Sequence, residues 1–248
     1  MRMPRPLVNR DFSDAFEKLI VRGRFNEEPE YYPRYRSRYR RLLEVFTSLA
    51  PPPPCKVLDI GGGQFAVLAN SLWGDDCTVT DIGGEHLDYV ASLGVKTLRW
   101  DLCSNDQPFH NEFDCIFFSE VIEHLPVPGH VVLERLRKCL KSGGLLFCTT
   151  PNLYRLRNIV YLAAGVPIFD YFRIPDERGL GHILEYSKSH LEWQFQRAGF
   201  CDVRVTFNQF HHHPTRIIPR LLSWTFYPLL LVPRFRDNLI ATARAPTS

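Results

Sequence analysis

Two carboxylates and an imidazole crowd one short stretch of this chain, Glu120-Val121-Ile122-Glu123-His124-Leu125-Pro126. If one helical turn forms ahead of Pro126, then Glu120, Glu123 and His124 stand at i, i+3 and i+4 and share a face. Such a set suits a divalent cation or, without one, general acid–base work by the histidine. A second group of chemistry-bearing residues lies upstream. The apolar run Val57-Leu58-Asp59-Ile60 opens directly into Gly61, Gly62, Gly63 and Gln64. Glycine adopts positive φ and lets a ligand approach the main chain. A buried strand that ends this way is how open α/β sheets build a nucleotide site. Asp81 closes the next apolar run, Cys77-Thr78-Val79-Thr80, at about the 20-residue offset where a carboxylate grips ribose hydroxyls.

The elements needed to position these residues are legible as alternating short apolar runs and helix-length segments. After the runs at 57–60 and 77–81, further strands are predicted at 95–101, 113–119, 143–150, 201–207 and 237–244. That pattern predicts an α/β fold, a Rossmann-like seven-stranded sheet with helices on both faces. A nicotinamide-dependent oxidoreductase fits less well, because Ala66 stands where G-x-G-x-x-G needs its last glycine. Asp81 and Asp101 also have a plainer reading as strand-end turn residues.

The LDIGGG turn, Asp81, Asp101-Leu102, the FDCIFFSEVIEHL segment and LKSGGLLFCTTPN occur in order between Lys56 and Phe200. Together they resemble the class I S-adenosylmethionine-dependent methyltransferases. The resemblance implies that Asp59, Gly61, Gly62 and Gly63 cradle the methionine part of the cofactor. It further implies that Asp81 bonds the ribose hydroxyls, that Asp101 and Leu102 hold the adenine, and that Ile82 and Ser119 add cofactor contacts. Phe65 departs from the family, whose members often carry a further glycine there. The EVIEH segment is similar to that of ubiquinone-pathway O-methyltransferases and small-RNA 2′-O-methyltransferases, in which a downstream histidine completes a metal site. By that likeness Glu120, Glu123, His124 and His182 would bind Mg²⁺, with His124, His182 and Glu120 as the catalytic candidates. In metal-independent members the same Glu-His pair only positions the cofactor and packs, and His182 then serves alone as a general base or ties down a lid.

At 248 residues with 45% hydrophobic content, the chain suits one well-buried domain. A net charge of +3 is too small to imply nucleic acid as a partner. The seven cysteines are scattered without a C-x-x-C pair, which suggests reduced core thiols in a cytoplasmic protein. The stretch from Met1 to Arg10 carries no apolar signal core. Residues 1–50 read as an N-terminal helical cap, with Phe12, Phe16, Leu19 and Ile20 at helical spacing, then an aromatic-basic run read mainly as a solvated face with its tyrosines packed inward. Residues 51–248 read as the catalytic domain, with a lid at 153–180 and a hydrophobic insertion at 208–236 before the last strand. Ser187 should cap a helix with Leu191, Trp193, Phe195 and Ala198 buried.

The insertion is too short and too proline-broken to span a bilayer. Its arginines flank Trp224 and Tyr227, so 216–236 is expected to meet a membrane surface, with a homodimer interface or a cover for the sheet edge as the plainer choices. These features favour O-methylation of a lipophilic or lipid-linked small molecule, a phenol or glycolipid sugar. An RNA 2′-O-methyltransferase and a catalytically silent cofactor-binding adaptor at a membrane remain as alternatives.

Overall fold

The computed structural model describes residues 5–25, 27–28, 30–169, 181–210 and 227–247. Seven strands form one sheet: β1 (Lys56–Ile60), β2 (Asp76–Asp81), β3 (Lys96–Arg99), β4 (Phe113–Ser119), β5 (Leu140–Pro151), β6 (Cys201–Asn208) and β7 (Asn238–Arg244). Their order is β3-β2-β1-β4-β5-β7-β6. Strand β7 runs antiparallel to β5 and β6, and the remaining pairs are parallel. Central parallel strands are covered on both faces, which is why β1 and β4 read as nearly unbroken apolar runs. Strand order reverses between β1 and β4, and at that switch the loops part and leave a crevice at the carboxyl ends.

One face of the sheet is covered by α1 (Asn9–Ala15), which continues as a π-helical stretch over Phe16–Val21, and by α2 (Tyr31–Leu49) and α3 (Gln64–Trp73). Here Phe46 of α2 packs on Phe117 and Phe147, with ring centroids 5.0 and 5.5 Å away. Phe65 stacks on Phe117 at 5.0 Å and meets Tyr39 at 5.0 Å. Phe65 is therefore a core plug under the glycine turn. Helix α4 (His86–Ser92) follows β2. The other face carries α5 (Gly129–Cys139) and α7 (Lys188–Arg197), which bury Leu133, Leu136, Leu191 and Phe195.

Helix ends follow local chemistry. Ser187 accepts the backbone N–H of His190 at the start of α7, and Gly199 takes φ +80° just beyond its end. Trp193, expected inside, is 51% exposed. Leu191, Gln194, Phe195 and Ala198 form the inward i, i+3, i+4, i+7 stripe, and Trp193 falls off it. Helix α6 (Leu156–Ala163) forms the start of the expected lid. Residues 170–180, and 211–226 of the insertion with Arg216, Arg220, Trp224 and His211 to His213, lie outside the described residues. The end of the insertion returns through short 3-10 turns at Tyr227–Leu231 and Pro233–Phe235. Asn152 ties it to β5 by donating to the carbonyls of Arg234 and Arg236, both at 2.8 Å. All seven cysteines are free thiols, five of them buried. Among the described residues no helix is long and apolar enough to cross a membrane.

Candidate active site

A cleft of about 220 Å³ opens at the carboxyl ends of β1, β2 and β4, lined in part by Asp59, Gly61, Gly62, Asp81, Ser119 and Glu120. The glycine turn is required by geometry. Gly61 sits at φ +103° and Gly63 at φ +81°, a region costly for other residues. A Cβ on Gly63 would also lie 2.8 Å from Cγ1 of Val79. Asp59 points back under the turn, where its carboxylate accepts the N–H of Ala66 at 2.9 Å near the start of α3. Burial pushes Asp59 up to about 7, against the pull of the Ala66 and Phe65 N–H groups.

Asp81 ends β2 with Oδ1 accepting the Gly83 N–H at 3.0 Å. Ile82, beside it, is exposed. Asp101 follows β3, next to β2 in the sheet, and folds its Oδ1 onto the Cys103 N–H at 2.8 Å. Leu102 is buried and its carbonyl accepts from Arg135. The wall of the cleft does not include Gly63, Ile82, Asp101 or Leu102. Ser119 closes β4, with its hydroxyl 2.6 Å from that of Thr149.

The EVIEH segment departs from the expected geometry. Glu120 takes φ +55° and lies ahead of a 3-10 turn that covers only Ile122–His124. It therefore does not share a helical face with Glu123 and His124. Its carboxylate turns toward α2 and β7, pairing with Arg38 at 3.0 Å and accepting from Thr149 at 2.8 Å and Asn238 at 3.0 Å. Burial disfavours its charge, but Arg38, Asn238 and Thr149 hold it below the usual carboxylate range.

Glu123, His124 and His182 do come together. They offer one ligand atom each, all within 4.8 Å of one another. Glu123 is fully buried, with one carboxylate oxygen accepting from Thr150 and the other, Oε1, without a hydrogen-bond partner. Burial and the nearby Glu120 charge push it well above the carboxylate range. The His182 loop is pinned onto the turn, because Ile183 and Leu184 donate their N–H groups to the Glu123 carbonyl at 2.8 and 3.2 Å. Both rings are oriented through Nδ1: His124 lies 2.6 Å from the Gly181 carbonyl and His182 3.1 Å from Glu185. Glu185 is itself held by Arg155 and Asn158 and stays below the usual carboxylate range: burial opposes its charge, and His182, Arg155 and Asn158 outweigh that.

Residues 31–205 match a family described as a methyltransferase domain. The chain belongs to the class I S-adenosylmethionine-dependent methyltransferases. This methyltransferase is 32% identical over 145 residues to the ubiquinone biosynthesis O-methyltransferase of Thiobacillus denitrificans, covering 55% of this chain and 61% of that one. It is 28% identical over 155 residues to the protein of the same name from Pectobacterium carotovorum, covering 59% and 64%. The matches thus span less than two thirds of these relatives. A SAM dependent methyltransferase from Archaeoglobus fulgidus superposes with a TM-score of 0.59 at 16% identity, over 85% of this chain and 94% of that one. Phosphoethanolamine N-methyltransferase 2 of Haemonchus contortus does so at 0.56 and 16%, over 84% and 53%. At such identities the likeness is one of fold.

Three elements around the candidate site escaped the sequence reading: Arg38, Asn238 and the Glu185 network. Arg38 is buried within the run read as a solvated face, bonds the Tyr31 hydroxyl at 2.6 Å and sits 4.8 Å from the Tyr35 ring centre. The signal was its spacing, since 31, 35, 38 and 42 make one inward stripe of α2. Asn238 and Glu185 carried no local signal, because their partners lie far off in sequence.

Proposed function

We propose that this methyltransferase moves the methyl group of S-adenosylmethionine to a hydroxyl oxygen of a lipophilic or lipid-linked small molecule. We further propose that the acceptor binds at a divalent cation, such as Mg²⁺, held by Glu123, His124 and His182. The observation that carries this reading is the three-residue donor cluster beside the cleft. The buried Oε1 of Glu123, which has no hydrogen bond and lies 4.0 Å from Nε2 of His124, fits a cation, since no donor offsets its desolvation cost. The Nδ1 contacts of both histidines are the outer supports usual for metal-binding imidazoles. Glu120, committed to Arg38, stands outside this set.

A cation bound there would lower the pKa of a coordinated hydroxyl and hold it for in-line attack. The chain's own groups do the rest. Asp81 accepts from the ribose hydroxyls, and the bare backbone at Gly61 and Gly62 admits the methionine portion. Arg38, in the cleft wall, presents a guanidinium to the cofactor's carboxylate. An apolar acceptor is supported by exposed Tyr154, Leu162 and Val166 around α6 and by Leu229 and Leu231 on the returning insertion. Asn152, from which the α6 segment leaves β5, also bonds the returning insertion at Arg234 and Arg236, so both segments can face one membrane surface, the role proposed for 216–236. The relatives named as ubiquinone O-methyltransferases support a hydroxyl acceptor.

The test is transfer of labelled methyl from S-adenosylmethionine to a prenylated catechol, with Mg²⁺ or with chelator, by the natural chain and by Glu123→Gln. Transfer that needs the metal and is lost in the variant is expected. Metal-independent transfer that survives Glu123→Gln would overturn the metal assignment, and no transfer to any hydroxylated lipid would overturn the acceptor class.

A further inference from the structure

His86 opens α4 five residues beyond Asp81 and is enclosed by protein, 1% exposed. Both of its ring nitrogens are buried without a hydrogen-bond partner. An interior imidazole with both nitrogens unmet is unfavourable compared with an apolar side chain of similar size, so such a group needs a reason. Its Nε2 lies 3.8 Å from Oδ2 of Asp81, too far for a hydrogen bond and near enough that a shift of under 1 Å would make one. Asp81 lines the cleft, and its other oxygen already accepts from Gly83.

We infer that His86 is a positioning residue for Asp81: its Nε2–H donates to Oδ2 once the cofactor's ribose engages the carboxylate. The stoichiometry of acceptors fits. An ionised carboxylate offers about four lone-pair sites. The Gly83 N–H, the His86 N–H and two ribose hydroxyls fill them, and the two protein donors fix the rotamer that presents the other two sites to the ribose. The bond would meet Nε2 of His86 and a free lone pair of Asp81 Oδ2 together, and would leave Nδ1 as the one ring nitrogen without a hydrogen bond. His86 acts through Asp81 and touches no cofactor atom.

This inference rests on the cofactor reading of Asp81, and the experiment separates the two. S-adenosylhomocysteine is titrated calorimetrically into the natural chain, His86→Leu, His86→Gln, His86→Asn, Asp81→Asn and the double variant Asp81→Asn/His86→Leu. His86→Leu should raise Kd about tenfold while the melting temperature of the ligand-free protein holds or rises. His86→Gln, whose amide nitrogen reaches the position of Nε2, should stay within about threefold of the natural Kd, and the shorter His86→Asn should not. In the Asp81→Asn background His86→Leu should add nothing. If Asp81→Asn weakens binding and His86→Leu does not, the inference fails and the cofactor reading stands. An undiminished His86→Leu effect in the Asp81→Asn background also overturns it. Should His86→Leu not fold, equal Kd values for the Gln and Asn variants would be decisive against it. An unchanged Kd in Asp81→Asn would remove the cofactor reading itself.

Discussion

Replacing Arg38 with Met should destabilise the ligand-free protein through Glu120. The two side chains are 6% and 19% exposed and 3.0 Å apart. Removing one partner of a buried ion pair costs about 3–5 kcal/mol because the other is left buried and charged. Glu120 keeps its bonds from Thr149 and Asn238 and can take up a proton, which places the cost near the lower end, about 3 kcal/mol. For a chain of this size that is a fall of roughly 6–12 °C in melting temperature. Glu120→Gln should cost a similar amount, since it strands the guanidinium. Arg38→Met/Glu120→Gln removes both charges and should cost clearly less than the sum of the singles, by at least about 1.5 kcal/mol. The pH dependence has a definite sign. A carboxylate held low in the folded state contributes stability above its unfolded pKa of about 4.3 and loses it as the pH falls below that. Acid unfolding of the natural chain should therefore be steeper below about pH 4.5 than that of Arg38→Met. Denaturant melts of the four proteins at pH 7 and pH 4 measure all of this. Additive single costs, or a cost under about 1 kcal/mol for Arg38→Met, would refute the claim that this pair locks α2 to the site.

Three further outcomes follow from the geometry. Gly63→Ala combines a left-handed backbone with a 2.8 Å approach to Val79; it should cost about 2–4 kcal/mol in a chemical melt. Burial of Asp59 raises it to about 7, so its contribution to ligand-free stability is full at low pH and lost as pH rises through 7. On the proposed placement of Asp59 beside the cofactor's ammonium, the ligand favours the carboxylate, so affinity for S-adenosylhomocysteine should rise by up to about tenfold from pH 6 to pH 8. Asp59→Asn should flatten that rise in calorimetric titrations. At the proposed cation site, Glu185→Gln loosens the support behind His182 and should weaken Mn²⁺ binding about 10- to 100-fold, read by electron paramagnetic resonance.

The fold was legible because its signals are local and redundant. The central parallel strands are apolar runs with a turn beside each, and seven strand-length segments in sequence leave little freedom. The glycine turn was legible for the same reason, since Gly61 and Gly63 mark positive-φ positions. The EVIEH segment was legible as composition and misread as geometry. Periodicity alone places Glu120 and Glu123 on one face, whereas Asn238 and Arg38, distant in sequence, pull Glu120 the other way. Arg38 was hidden among four other arginines of the same helix, and only its register with Tyr31, Tyr35 and Leu42 sets it apart. Trp193 shows the same limit in reverse: an apolar side chain just off the stripe reads as core.

The most direct test of the account is a calorimetric titration of S-adenosylhomocysteine into the natural chain and into Asp81→Ala. One-to-one binding that the variant loses, by about 1.5–3 kcal/mol for bonds to a charged acceptor, is the predicted result. No binding by the natural chain, or equal binding by both, would contradict a cofactor cleft at the carboxyl ends of β1, β2 and β4.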